Sequence, residues 1–130
     1  MIHIPGRLFS VSPSTVNTIP GLFARNERVV CIFETAVGPM AVIMVGAIFV
    51  GSIETIWAGE ITPPKGKDIS TTDYKSSDSS IILQRGQEMG RFNMGSTVIL
   101  LFGEKQMNWI DDLTPGQTVK MGQCIGKRIE

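Results

Sequence analysis

Histidine and cysteine are scarce in this sequence, and their scarcity limits the chemistry that the chain can perform. His3 is the only histidine among 130 residues, so the chain alone cannot supply a zinc site built from several histidines. The two cysteines, Cys31 and Cys124, lie far apart and form no CxxC pair, which argues against a disulfide framework. We therefore expect neither a bound metal nor a disulfide-stabilised scaffold.

Neither charge nor hydrophobicity is concentrated along the chain. Twelve basic residues balance twelve acidic ones, so the basic surface of a nucleic-acid-binding protein is not indicated and we expect no nucleic-acid partner. The longest apolar run covers residues 40–50, about half of the roughly 20 residues that a membrane-spanning helix needs. No basic segment precedes an apolar stretch at the N-terminus, so a signal peptide is not indicated. These absences favour one globular domain over residues 1–130.

Glycine and proline are plentiful and divide the chain into short segments. No segment shows a sustained helical period, so we predict a mostly β fold of short-stranded antiparallel sheets or a barrel, with few short helices. The predicted strands cover residues 7–11, 28–34, 41–56 (interrupted at Gly46 and Gly51), 80–84 and 97–102. The remaining predictions are a short helix over residues 107–113, a loop or single helical turn over 13–20, and a mobile polar loop over 65–80.

The C-terminal segment has a regular glycine spacing of its own. Gly116, Gly122 and Gly126 separate the apolar residues Val119 and Ile125. The pattern resembles the ribbon of biotinyl/lipoyl-like and hybrid-motif barrels, and we predict such a ribbon here.

Two functions known for such ribbons are disfavoured by particular residues. A lipoyl-type carrier would use Lys120, but this lysine follows Val119, where carrier lysines commonly have methionine. A hybrid-motif metallopeptidase would need more histidine than the chain has.

One candidate for chemistry is Ser96, which lies between Gly95 and a predicted strand that begins at Thr97. By itself the pattern favours a structural role, because serine next to glycine commonly hydrogen-bonds a turn. The Gly51-Ser52 pair repeats the same dipeptide elsewhere. A Ser-His-Asp triad would have to use His3, which we expect at a flexible chain end.

Several longer motifs change that assessment. They are GRLFSV (6–11), FARNER (23–28), VGA (45–47), VGSIETIWAGEITPP (50–64) and GQEMGRFNMGST (86–97). In this order and at this spacing they resemble the phosphatidylserine decarboxylase family, and the resemblance covers residues 5–126.

The resemblance implies a self-processing serine. In the family the proenzyme cuts itself between Gly and Ser of an L-G-S-T motif, which here reads Met94-Gly95-Ser96-Thr97. Exchanging leucine for methionine conserves volume and is tolerated. The Ser96 hydroxyl would attack the Gly95 carbonyl, and elimination would yield a β chain of residues 1–95 and an α chain of residues 96–130.

The cofactor implied is pyruvate, as a covalent pyruvoyl group derived from Ser96. In the family this group forms a Schiff base with the amino group of phosphatidylserine and accepts electrons as CO2 leaves, which yields phosphatidylethanolamine.

Ser10 matches a family hydroxyl near the substrate and is carried over as a candidate substrate contact. Arg25, Asn26 and Glu27 match a strongly patterned stretch. They would form either a charge network that fixes the site or an ion-paired turn, and we favour the turn.

The same resemblance implies partners and a location. The expected partners are the substrate phosphatidylserine, a membrane surface, and the second chain of an αβ heterodimer, with a dimer of these heterodimers as the larger assembly. The expected location is peripheral, on the cytoplasmic face of the bacterial inner membrane, with the mitochondrial inner membrane as the alternative.

The match begins in the middle of the family pattern. Family members carry an upstream segment with the Asp and His that activate the serine, and no position here matches either of them. A serine hydroxyl is a poor nucleophile without a base to take its proton. We therefore expect an incomplete, unprocessed form that does not cleave itself efficiently. The alternative is an inactive β-barrel remnant or interaction module without a pyruvoyl group.

Overall fold

The computed structural model of the chain describes residues 1–48, 52–61, 67–75, 80–94 and 97–129. These residues form short strands and two short helices, which confirms the predicted mostly β class. In chain order the elements are β1 (Ile2–Ile4), α1 (Pro13–Thr18), α2 (Leu22–Arg25), β2 (Arg28–Thr35), β3 (Gly38–Val45), β4 (Ile53–Thr55), β5 (Gly59–Glu60), β6 (Ser70–Thr71), β7 (Gly90–Phe92), β8 (Thr97–Phe102), β9 (Met107–Trp109) and β10 (Gly126–Arg128).

The strands form three antiparallel sheets. The largest has the order β6-β1-β2-β3-β8, the second has the order β5-β4-β7, and β9 pairs with β10 in the third. Across the described part of the chain these sheets are separate, and none of them closes into a barrel.

The core lies between the large sheet and β4. Strand β2 is rich in β-branched and aromatic residues, which favour strands, and it alternates so that Val29 and Cys31 are buried on one face. Met44 of β3 pairs with Val29, and Ile53 of β4 packs against both residues. The opposite face of the large sheet is apolar but open, and Ile32 there is 58% exposed.

The strongest predicted strands are confirmed, while the weaker ones are not. Residues 28–34 and 97–102 lie in β2 and β8. The predicted strand over residues 41–56 breaks after Val45, close to the expected interruption at Gly46, and Gly51 lies outside the described residues.

Two predicted strands are wrong because they lack a strand partner in the part of the chain that the structure describes. Within residues 7–11, only Arg7 forms a β-bridge, and its partner is Asn26. The Ser10 hydroxyl accepts the Ser12 N–H, a local hydrogen bond that competes with a strand ladder. Residues 80–84 form no strand either.

The predicted helix over residues 107–113 is also wrong. Met107–Trp109 forms β9, and the Leu113 N–H then closes a turn on the Ile110 carbonyl. Three apolar residues on one helical face are too weak a signal, because a segment this short cannot repay the cost of helix nucleation. The polar loop over 65–80 contains a strand, since Ser70–Thr71 pairs with β1 as β6.

The C-terminal ribbon is a connection between β9 and β10 that contains repeated turns. Gly116 and Gly122 adopt φ values of +83° and +80°, a region that disfavours side chains, so these two glycines are required by the turns. Lys120 begins the second turn and is exposed.

Candidate active site

The two residues of the predicted cleavage site, Gly95 and Ser96, lie outside the described residues, but the residues on both sides of them are described. On one side, the Asn93 side-chain amide donates to the Ser52 hydroxyl, and the Asn93 N–H lies 3.3 Å from the Ser52 carbonyl oxygen. On the other side, Thr97 begins β8 and pairs with Val45. Ser52 is only 1% exposed, so the acceptor of the first anchor is buried, whereas Asn93 itself is exposed.

The site therefore joins two sheets. The chain reaches Asn93 from β7, in the three-stranded sheet, and continues from Thr97 in β8, at the edge of the five-stranded sheet. Each side of the predicted scissile bond is thus held by a different sheet.

Several sequence motifs meet at the end of the large sheet where β8 begins. The pairing register aligns Thr97 with Val45, Val45 with Arg28, and Arg28 with Ile4. The segment after Ile4 and the segment before Arg28 consequently lie at the same end of the sheet as Thr97. These segments belong to motifs that sequence reasoning found separately.

Asn26 connects these segments. Its side chain is fully buried, and Nδ2 donates to the carbonyl oxygens of Phe9 at 2.8 Å and Gly46 at 2.9 Å. Its Oδ1 accepts the Phe9 N–H at 2.9 Å. Because Gly46 follows Val45, Asn26 links the candidate substrate residue Ser10, next to Phe9, to the strand beside Thr97.

The ion-paired turn favoured for residues 25–27 is wrong, because Glu27 pairs with His3 and Arg25 joins none of the ion pairs among the described residues, and a charge network that fixes the site stays a prediction. The Arg25 guanidinium carbon lies 4.9 Å from the centre of the Phe9 ring. Glu27 is buried and contacts His3. No sequence pattern indicates these contacts of Asn26, because its partners are 17 and 20 residues away along the chain.

His3 is buried, and the expectation that it lies at a flexible end is wrong. It belongs to β1, which pairs with β2 on one side and β6 on the other. Its Nε2 donates to Glu27 Oε1 at 3.0 Å, which orients the ring. Strands β2 and β3 separate β1 from β8, a distance of about 14 Å at ordinary strand spacing, so His3 lies beyond hydrogen-bonding reach of Thr97.

The cysteines offer no activated nucleophile. Burial raises the pKa of the Cys31 thiol to about 11, so the thiol stays protonated at neutral pH. Cys124 is exposed and donates to the Gly126 carbonyl at 3.3 Å. The described residues contain no group of three or more metal-ligating side chains.

Ser10 is accessible, as a substrate contact must be. Its side chain is partly exposed, and its hydroxyl accepts the Ser12 N–H at 3.2 Å, which leaves the hydroxyl proton able to donate elsewhere.

No helix of the described residues is long and apolar enough to cross a membrane.

Fold and site together define a mostly β protein in which the chain passes from one sheet to another between Asn93 and Thr97. A family model described as phosphatidylserine decarboxylase matches residues 1–127. The chain belongs to the phosphatidylserine decarboxylase family, a family of lyases, as the sequence motifs indicated.

Curated relatives give the same assignment. A phosphatidylserine decarboxylase proenzyme of Ectopseudomonas mendocina is 54% identical over 127 residues, which are 97% of this chain and 44% of the relative. The proenzyme of Methylococcus capsulatus is 56% identical over 126 residues, 97% of this chain and 43% of the relative. That of Nitrosococcus oceani is 57% identical over 129 residues, 99% of this chain and 42% of the relative. The chain thus spans less than half the length of these relatives.

Proposed function

We propose that this chain carries the self-processing serine of a phosphatidylserine decarboxylase. Ser96 is the nucleophile, the Gly95 carbonyl is its target, and the products are residues 1–95 and residues 96–130. The observation that carries the proposal is the separate anchoring of the two sides of this bond, through Asn93 to Ser52 and through Thr97 to Val45.

This arrangement fits a covalent pyruvoyl group derived from Ser96. After scission, the chain end near Asn93 keeps its hydrogen bonds to Ser52, while the new end next to Thr97 keeps the β3–β8 ladder. A pyruvoyl group supplies an electron sink for decarboxylation. An end held by a strand ladder stays positioned without the covalent bond, and such positioning is a large part of catalysis.

Two residues of the chain would support the reaction from the same end of the sheet. Asn26 holds Phe9, and with it Ser10, against Gly46. The Ser10 hydroxyl would then donate to a polar group of phosphatidylserine. His3 is not proposed as the base for Ser96, because its Nε2 is bound to Glu27 and two strands separate it from β8.

The proposed setting is peripheral at a membrane, on the cytoplasmic face of the bacterial inner membrane, where the substrate lipid is available. The two products would remain together as an αβ heterodimer, and a dimer of these is the proposed assembly. The support is the relatives' name, which specifies a phospholipid decarboxylase proenzyme.

The test is an intact-mass measurement on two proteins. In the first, this chain replaces the matching region of the Ectopseudomonas mendocina relative, which supplies the remainder of that protein. We expect cleavage at position 96, with a C-terminal product lighter by one ammonia than a serine-terminated fragment, and release of CO2 from phosphatidylserine. In the second, the chain alone is expected to keep its full mass, since no base for Ser96 is identified in it.

The matched controls are Ser96→Ala and Ser52→Ala in the grafted protein. Ser96→Ala must abolish both cleavage and decarboxylation. Ser52→Ala removes the acceptor for Asn93 and is expected to slow cleavage while leaving Ser96 in place. An uncut wild-type graft, with the parent protein cleaving normally, would sink the proposal and favour an inactive interaction module.

A further inference from the structure

A cationic cleft lies at the end of the large sheet where β1 ends and β2 begins, which is also the end where β8 begins. It has a volume of about 450 Å³, and it is lined by Pro5, Gly6, Arg7, Arg25 and Lys67. Three of these five residues carry positive charge and none carries negative charge. Because the whole chain is electrically balanced, this is a local segregation of charge.

The three cations are not neutralised within the described part of the chain. The ion pairs found there involve other residues, and neither Arg7, Arg25 nor Lys67 has a carboxylate within ion-pair distance. Three like charges around one cleft repel each other, so an anion that binds between them relieves this repulsion.

On the side formed by Arg7 and Arg25, the cleft is fixed by backbone hydrogen bonds. The Arg7 N–H donates to the Arg25 carbonyl and the Glu27 N–H donates to the Arg7 carbonyl, both at 2.8 Å. This close approach needs Gly6, because a Cβ there would lie 2.6 Å from the Arg25 carbonyl oxygen. The contact of Arg25 with the Phe9 ring further restrains its guanidinium.

We propose that this cleft binds a phosphate group, and specifically the phosphodiester of an anionic phospholipid headgroup. Two guanidinium groups and one ammonium group suit phosphate oxygens, since arginine binds them with paired N–H donors. Arg25 contacts Phe9, the neighbour of Ser10, so the cleft adjoins the segment that carries the proposed substrate contact. The choice of a lipid rests on the proposed function, whereas the anion site rests on the cleft itself.

The test measures binding to vesicles with the full chain carrying Ser96→Ala, which keeps every sample uncut. The vesicles contain equal parts of phosphatidylcholine and phosphatidylserine, with phosphatidylcholine alone as the reference. A variant with Arg7→Gln, Arg25→Gln and Lys67→Gln keeps the backbone bonds of the cleft but removes its charge. At about fivefold per cation, we expect its affinity for the mixed vesicles to fall about 100-fold.

A matched variant removes the same total charge elsewhere, through Arg85→Gln, Lys120→Gln and Arg128→Gln. These three residues are exposed, and none of them lines the cleft. Screening at physiological salt limits their influence to about 8 Å, so we expect less than a threefold loss. Unfolding midpoints of both variants establish that the fold is retained, and Arg25→Lys gives a milder cleft variant if the triple change destabilises it.

Titration with inorganic phosphate separates the two sources of the ligand. If inorganic phosphate binds, the vesicles do not bind, and the cleft variant abolishes phosphate binding, then the site recognises free phosphate. That result overturns the lipid assignment, while the anion site stands. Equal losses in both triple variants, or no loss in either, would overturn the site itself. Vesicle binding that persists while the grafted protein fails to decarboxylate would overturn the proposed function but not the cleft.

Discussion

The environment of Asn26 restricts which side chain this position accepts. Its amide is fully buried between two carbonyl oxygens, which only a donor can satisfy, and one N–H, which only an acceptor can satisfy. An unpaired polar group in such a position costs about 1–3 kcal/mol, and a buried unpaired charge costs more. The amide of asparagine meets these requirements together, and a carboxylate does not.

Asn26→Asp is therefore expected to lower the free energy of unfolding by about 3 kcal/mol at neutral pH. The aspartate would lose both donors and place a negative charge against the Phe9 and Gly46 carbonyls. Urea unfolding measures the effect. Asn108→Asp makes the same chemical change on an exposed strand residue and should shift the midpoint little; equal shifts in both variants would contradict the role assigned to Asn26.

At this scale the sequence identified residue types but not their partners. Ser96 is a predicted site residue because a motif of several residues surrounds it, and it lies outside the described residues. Asn26 and His3 were misjudged because their hydrogen bonds depend on strands that come together only in the folded chain. A single buried asparagine carries no periodic signal that separates it from an exposed one.

At the scale of elements, one four-residue turn recurs along the chain. In each copy the first N–H donates to the side-chain oxygen of a glutamine in the fourth position, whose own N–H donates to the first carbonyl. The copies are residues 84–87, 103–106, 114–117 and 120–123. Three of them have glycine with positive φ in the third position, as a type II turn requires.

The exception is Lys105, which adopts a φ of +57° where the other copies have glycine. A left-handed conformation costs a residue with a side chain about 1–2 kcal/mol, and glycine avoids this cost. Glycine gives back about 0.5–1 kcal/mol of the gain, because it loses more backbone entropy on folding. Lys105→Gly should thus raise the free energy of unfolding by about 0.5–1 kcal/mol, measured by thermal or urea unfolding.

The reverse change is the control for this prediction. A Cβ on Gly116 would meet no atom within 4 Å, so Gly116→Ala adds only backbone strain and should destabilise the protein. If Lys105→Gly also destabilises, the strain assigned to Lys105 is absent.

Strands were predicted correctly where both the residue types and the turn signals at their ends indicate a strand. Strands β2 and β8 are runs of β-branched and aromatic residues between turn signals, and both were predicted. Strand β6 consists of Ser70 and Thr71, whose side chains give no hydrophobic signal, and it exists only because β1 offers an edge. Strand β9 was mistaken for a helix because its strand partner, β10, lies far along the chain.

At the scale of the whole molecule, the proposed cleavage site falls in the sequence between Asn93, which is held to Ser52, and Thr97, which begins β8. The piece that begins at Ser96 contains β8, β9 and β10, and β8 pairs with β3 from Thr97 to Phe102. A cut at this position would therefore remove a covalent bond without removing a strand from its partner.

We expect the two pieces of the cleaved grafted protein to elute together in gel filtration and to separate only in denaturant. Ile99→Pro and Leu100→Pro, made separately, supply the control. Alternate residues of an antiparallel strand direct their N–H groups to the partner, so one of these changes removes a ladder hydrogen bond and should weaken the association. Pieces that part without denaturant would contradict this account.

Gly6 has a consequence for how the protein tolerates mutation. Its missing side chain allows residues 5–7 to lie against residues 25–27, and that contact forms the cationic cleft and borders the buried Asn26. Arg7 holds this contact through its backbone N–H and carbonyl, which any side chain except proline leaves in place, so position 7 can vary with a loss confined to the proposed anion binding. A methyl group at position 6 would instead disturb both features at once, and we expect natural variation to spare this position more than the charged residues beside it.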